Sequence, residues 1–198
     1  MDVYLETERL VLRRLTPDDL DNLVALDSDP EVMRWVTGAP TPRAVIELDF
    51  LPAWLAYYER GDRYGFWAAI VRATGEFLGW FHFRPPLGSD DPDVAELGYR
   101  LKRSAWGQGY ATEGSRALIR KGFEELGVRR VVALTAEEHA ASRRVMEKAG
   151  LTLARTFPCD LPGWEGTNDV EYALDRADWE RRRAMESGLA ADSGEGAQ

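Results

Sequence analysis

The chain has 198 residues, 44% of them apolar, and seven tryptophans, which suits one folded domain with a substantial core rather than disorder. Its net charge is −9 and it has no long basic run, so recognition of nucleic-acid phosphates is excluded as its main business. Cys159 is the lone cysteine, which rules out an intrachain disulfide and a thiolate metal cluster. The two histidines, His82 and His139, are far apart and lack ligand partners at metal spacing, so no metal is expected. No run reaches membrane-spanning length, and residues 1–4 form neither a basic nor an apolar leader; a cytoplasmic protein without membrane partners is the expectation.

In chain order, residues 9–15 read as a strand with Leu10 and Leu12 on one face. Thr16-Pro17-Asp18-Asp19 opens a helix with a capping hydroxyl, a proline in the first turn and acids that suit the dipole. Leu20, Leu23, Val24 and Ala25 form its apolar stripe, and Asp29-Pro30 ends it, because a residue before proline avoids helical geometry. Thr41-Pro42 repeats the opening for a helix reaching about Arg60, which Pro52 should kink or split. Segments 64–72 and 77–83 are strands joined as a hairpin, and 85–92 is a loop and the candidate mobile segment. A strand at 94–101 follows, then a glycine loop, a helix over 113–126 and a strand over 131–136. A short helix ended by Gly150 precedes strands at 151–157 and 170–174, the last closing the sheet, and a helix over 176–185. From Ser187 the composition lacks apolar bulk, and 187–198 is expected to be disordered. The pattern predicts an α/β (α+β) fold, a mixed sheet covered by helices.

The chemistry concentrates at Trp106-Gly107-Gln108-Gly109-Tyr110-Ala111-Thr112, between a strand and a helix. Two glycines there let main-chain N–H groups approach a ligand, and the helix start favours a phosphate. The stretch lacks the Gly-Lys-Ser/Thr ending of a P-loop and the third glycine of a dinucleotide fingerprint. Taken alone it reads more often as a turn than as a phosphate cradle. A second segment, 139–151, gives a helix with Val145, Met146 and Ala149 buried, Arg143 and Glu147 paired outside, and His139 and Ser142 sharing a face near its start.

Together, Glu8 to Arg13, Glu96 to Leu101, Trp106 to Glu113 and Ser142 to Gly150 resemble, in order and spacing, the GNAT superfamily of acetyl-CoA-dependent N-acetyltransferases. Within it the chain looks most like the branch of ribosomal-protein N-terminal acetyltransferases, over one domain at 6–178. Two positions depart from pattern. Trp106 stands where the superfamily at large has Arg or Gln, as the N-terminal branch often does, and His139 replaces that branch's usual asparagine.

The resemblance implies a mostly antiparallel sheet whose central parallel strands splay apart around acetyl-CoA. The amides of Gly107, Gln108, Gly109, Tyr110, Ala111 and Thr112 would surround the pyrophosphate. Main-chain groups of Tyr99 and Leu101 would pair with the pantetheine as an added strand does. His139 would touch the cofactor in place of the asparagine, and Arg103, Arg143 or Lys148 would meet the 3′-phosphate. Amide formation needs a neutral amine and a stabilised leaving thiolate. Glu96, among apolar neighbours with space beside it at Gly98, is the candidate base, its proton affinity raised by burial; pairing with Arg100 is the competing reading. Ser142 is the candidate for the leaving sulfur, against a role as a local helix cap. No cysteine lies near either motif, so direct attack is expected. The acceptor is a primary amine, on a protein N-terminus or a small molecule, with Asp90, Asp91 and Asp93 drawing a cation toward Glu96. A non-catalytic acyl-CoA sensor is the alternative, and a homodimer is admitted but not demanded.

Overall fold

The computed structural model describes residues 2–89 and 91–192. One eight-stranded sheet runs through it in the order β1-β2-β3-β4-β5-β6-β8-β7. The strands are β1 (Val3–Glu6), β2 (Leu10–Arg14), β3 (Gly65–Val71), β4 (Phe77–Arg84), β5 (Val94–Leu101), β6 (Arg130–Ala136), β7 (Thr152–Pro158) and β8 (Asn168–Asp175). Every neighbouring pair is antiparallel except β5 and β6. The mixed sheet is the one the sequence pattern predicts, and its mostly antiparallel pairing is the one the resemblance implies.

Two details differ. Residues 3–6 form an edge strand that four residues of weak alternation did not announce. Segment 168–175 does not close the sheet: it inserts between β6 and β7, leaving β7 at the edge. A hairpin from β7 to β8 satisfies short-range pairing wherever it lies, so sequence order could not rank the two.

The helices are α1 (Leu20–Asp27), α2 (Pro30–Met33), α3 (Arg43–Val45), α4 (Leu51–Leu55), α5 (Tyr110–Glu124), α6 (Ala140–Lys148) and α7 (Arg176–Asp192). Thr16 and Asp19 cap the 3₁₀ turn before α1 reciprocally. Between α3 and α4 the chain widens into a π-turn, Ile46–Phe50, in which the Leu51 N–H bonds to the Ile46 carbonyl. Pro52, just beyond, has no N–H to continue an α ladder, and the wider turn absorbs that loss. The last helix runs past Met185 to Asp192, and residues 193–198 of the expected tail lie outside the described residues. No helix among the described residues is long and apolar enough to cross a membrane.

Each sheet face carries its own core. On one, Leu10, Leu12, Phe81, Phe83, Leu97 and Leu101 pack against Leu118, Ile119 and Phe123 of α5. On that face Gly114 and Gly122 let α5 lie close, because a Cβ on either would meet the Phe81 ring at 2.4 Å or the Phe83 ring at 2.6 Å. On the other face Leu23, Leu26, Ile46 and Leu51 cover Phe66, Ala68 and Trp80.

Candidate active site

The parallel strands β5 and β6 pair only over Val94–Glu96 against Arg130–Val132. Beyond that rung they part, and β5 continues to Leu101 while β6 continues to Ala136. In the antiparallel register of β4 with β5, Lys102 donates to Leu78, so alternate residues of β5 present their main chain to β4. Leu97, Tyr99 and Leu101 therefore turn their N–H and C=O groups toward the gap. The splay opens a cleft of about 780 Å³ lined by Leu97–Leu101, Leu134 and Thr135, the glycine loop, the start of α6 and the segment 31–36. Leu134, 41% exposed in mid-strand, is an apolar side chain left facing this cleft.

The glycine loop sits at one end. Gly109 adopts φ 85° as the residue preceding α5, a left-handed conformation that side chains resist. No side chain caps α5, so its first N–H groups are free for a ligand. Gly107, Gly109, Ala111 and Thr112 line the cleft, and no other group stands within 4 Å of a Cβ placed on Gly107. This open, uncapped, glycine-lined turn fits a phosphate.

Gln108 and Tyr110 belong to the loop, but neither lines the cleft. The Gln108 amide donates to the Ser104 carbonyl, and the Tyr110 ring lies under the Arg9 guanidinium, 4.4 Å away. Arg9 also donates to the Gln108 carbonyl at 2.9 Å and pairs with Glu113 at 2.6 Å. The Glu113 carboxylate additionally accepts from the Thr7 hydroxyl and the Arg9 amide, at 2.6 and 2.8 Å. Burial would raise the Glu113 pKa, but these donors hold it below the usual carboxylate range. The loop is thus braced from behind by Arg9, just ahead of β2, a role the early Glu8-Arg9-Leu10 motif did not disclose by itself.

Midway along the cleft, the Tyr99 and Ser142 hydroxyls lie 3.2 Å apart. Burial pushes the Tyr99 phenol up to about 12, so it keeps its proton at neutral pH. Sequence reasoning gave Tyr99 a main-chain role only; its side chain shares a face with the start of α6 solely because β5 and α6 meet in space. The Leu101 carbonyl is already taken by the Trp106 indole N–H at 2.8 Å. Trp106 itself is 48% exposed and lines the cleft, so it is more than a packing residue.

Of the three cations expected for the 3′-phosphate, Arg103 pairs with Asp29 at 2.8 Å, and Arg143 donates to the Tyr172 hydroxyl and the Glu137 carbonyl. Lys148 lines the cleft beside Arg144, and neither has an ion pair among the described residues. Arg143 and Glu147 meet through the Tyr172 hydroxyl rather than directly. His139 borders the cleft with its ring stacked on Trp35 at 5.2 Å, and Trp164 leans on Trp35 at 6.5 Å. Burial, helped by Arg34, pushes the His139 pKa down to about 4.

The closed end of the wedge corrects one expectation. Glu96 stands on the last paired rung and does not line the cleft. Its Oε1 accepts from Arg84 at 2.8 Å and lies 3.2 Å from Nε2 of His82. Burial raises its pKa, as expected, yet His82, Arg84 and the Leu87 amide outweigh burial and leave it below the ordinary range. Its proton affinity is lowered, not raised. Arg100, the partner considered for it, pairs instead with buried Asp27 at 2.6 Å. The space at Gly98 is filled as well: a Cβ there would lie 2.4 Å from Cε1 of His82. Asp91 and Asp93 lie outside the cleft lining, and Asp90 is outside the described residues. Among the described residues no three His, Cys, Asp or Glu side chains are grouped to hold a metal.

A splayed parallel pair, an uncapped glycine turn and hydroxyls across the gap define an acyl-transfer fold, and comparison with known proteins agrees. The family model described as Acetyltransferase (GNAT) domain matches residues 9–152. The chain belongs to this family and is an acetyltransferase. It is 36% identical over 189 residues to the FsC-acetyl coenzyme A-N(2)-transacetylase of Aspergillus fumigatus, covering 89% of this chain and 78% of that one. Its fold is similar to a GNAT-family acetyltransferase from Bacillus anthracis, with TM-score 0.76, 23% identity, and 89% and 99% of the two chains covered. A ribosomal L7/L12 alpha-N-protein acetyltransferase in complex with coenzyme A superposes with TM-score 0.74 at 18% identity, covering 88% of this chain and 98% of that one. At that identity the likeness extends to the fold, not to the ribosomal branch.

Proposed function

We propose that the chain transfers the acetyl group of acetyl-CoA to a primary amine by direct attack. The observation that carries this reading is the cleft opened by the parting of β5 and β6, with the glycine turn and the paired hydroxyls along it and the cluster of His82 and Glu96 at its closed end. The amides of Gly107 to Thr112 hold the pyrophosphate. The gap-facing main chain of Tyr99 and Leu101 meets the pantetheine, the Leu101 carbonyl sharing its second lone pair with Trp106. Lys148 and Arg144 meet the 3′-phosphate.

The Tyr99–Ser142 pair donates to the departing sulfur: a neutral phenol and a hydroxyl can stabilise charge that appears only as the C–S bond breaks. The proton released by the amine goes to the cluster at the closed end of the wedge. The acceptor is a protein N-terminal amine or a small-molecule amine, and the N(2) in the name of the Aspergillus relative supports transfer to nitrogen. Thiol release from acetyl-CoA, followed with a short peptide, spermidine, kanamycin and an arylamine, tests this reading. Release with at least one amine, and acetyl found on its nitrogen by mass spectrometry, is the expected result. Cofactor binding without release in any mixture would leave only an acyl-CoA-binding protein.

A further inference from the structure

The displaced expectation about Glu96 leaves a chemical question, since a carboxylate already bonded to a guanidinium is a weak base toward an ammonium. The same cluster holds a better one. His82 lies on β4 directly opposite Gly98 of β5 and lines the cleft, which Glu96 does not. Its ring occupies the volume that any side chain at residue 98 would claim. Phe66 packs its edge at 5.3 Å and Trp80 its face at 5.9 Å, fixing the imidazole plane.

Nδ1 has no hydrogen-bond partner, and Nε2 has only a poorly aligned 3.2 Å approach to Glu96. A buried imidazole so poorly satisfied is costly, and such a cost points to a partner that comes and goes. The charged groups around it are Arg84 from its own strand, Glu96 and Arg100 from β5, and Asp27 from α1 behind Arg100.

We propose that His82, rather than Glu96, accepts the proton of the attacking amine, and that Glu96, held by Arg84, is the positioning residue that orients the imidazole and stabilises its charged form. The inference rests on the acetyltransfer reading above. An amine that arrives as ammonium gives one proton to the imidazole, directly or through one water, and frees its lone pair. The nitrogen then bonds to the carbonyl carbon, and the C–S bond breaks with its electron pair on sulfur. The thiolate takes a proton through the Tyr99–Ser142 hydroxyls, made good by the second proton of the nitrogen, and the thiol leaves; the imidazolium later returns its proton to solvent. Burial, against the pull of Glu96, lowers the His82 pKa, so the ring is neutral and ready at pH 7. Both nitrogens are closed to solvent before the substrates bind, and apo geometry of this kind tightens or opens in the reactive complex.

The test is the pH dependence of kcat/KM on an amine that the wild type acetylates in the panel above, for His82→Gln, Glu96→Gln and Gly98→Ala, each checked for a folded melting transition. The expected wild-type profile has an acid limb below the ordinary imidazole range. His82→Gln should lower kcat on the order of 10²-fold at pH 7 and lose that limb, its residual rate rising with the amine's own deprotonation. Glu96→Gln should lose less and shift the limb further to acid, because the carboxylate that favours imidazolium is gone. Gly98→Ala keeps both groups but takes the space of the ring, and should behave like His82→Gln. A limb that survives in His82→Gln, with turnover changed only a few-fold while Glu96→Gln is the more impaired, would overturn the assignment and return Glu96 to the role of base. A wild type that acetylates no amine would overturn the acetyltransfer reading first and this one with it.

Discussion

The two ends of the cleft are built by opposite means. The end proposed for the cofactor is a contiguous stretch, residues 107–112, that offers main-chain amides and is braced by one arginine just ahead of β2. The closed end of the wedge draws Asp27, His82, Arg84, Glu96 and Arg100 from α1, β4 and β5 and works through side chains. Backbone recognition needs only that a turn be possible, so a handful of neighbouring residues encodes it. Side-chain recognition needs distant elements to arrive together, and it can change with one substitution in any of them.

Gly109→Val tests the cofactor end where it is most demanding. At φ 85°, with Nη2 of Arg9 3.3 Å from a new Cβ, the turn must rearrange. Acetyl-CoA affinity should fall roughly 10²-fold in a folded variant, following the cost of a strained backbone. Isothermal calorimetry with unchanged affinity would remove the phosphate cradle from the comparison.

Ser142→Ala and Tyr99→Phe probe the meeting point of the two ends. Each should reduce kcat on the order of 10²-fold while acetyl-CoA affinity stays nearly intact. Because the hydroxyls act as one unit 3.2 Å apart, the double variant should lose little more than either single one. Independent, multiplying losses would show that they act separately.

Arg9→Ala removes the brace and not the cradle. We expect about 10-fold weaker acetyl-CoA binding with kcat little changed, a size typical of second contacts that orient a binding group. Glu113→Gln should produce part of the same loss, and a double-mutant cycle should find the two coupled.

The smallest effect concerns His139 at the start of α6. His139 has a pKa of about 4 in the folded chain against the ordinary 6.5, so between these pH values the unfolded chain binds a proton there that the folded chain does not. Stability therefore drops as pH falls through that window. His139→Phe, which keeps a ring against Trp35, should flatten the decline of Tm between pH 6.5 and 4 by a few degrees, read by calorimetry.

The difference between the two ends also sets what could be read without coordinates. Strand 94–101 and the glycine turn were legible because their signals are local: alternation, a Gly-x-Gly pair, a helix pattern behind. Helix α5 nevertheless starts at Tyr110, earlier than 113, because the turn at Gly109 already points the chain along the helix axis. Glu96 was legible as a site member but not in its electrostatics. His82 sits fourteen residues earlier and reaches Glu96 only through the register that sets it opposite Gly98. An isolated histidine in an aromatic strand gives no such notice; a glycine in mid-strand facing it was the one available signal. The stack of Trp35 on His139 likewise joins the segment after α2 to the start of α6, a pairing no periodicity carries.

The short run of pairing between β5 and β6 has a mechanical meaning. Three residue pairs are the seam between a five-stranded plate, β1 to β5, and a three-stranded plate, β6, β8 and β7. A ligand lying along the open stretch acts as a stitch that lengthens this seam, so acetyl-CoA should stiffen the chain far from where it touches. Amide exchange carries that signature: with cofactor bound, protons on Tyr99 and Leu101 should slow first, followed by those of β6 beyond Val132.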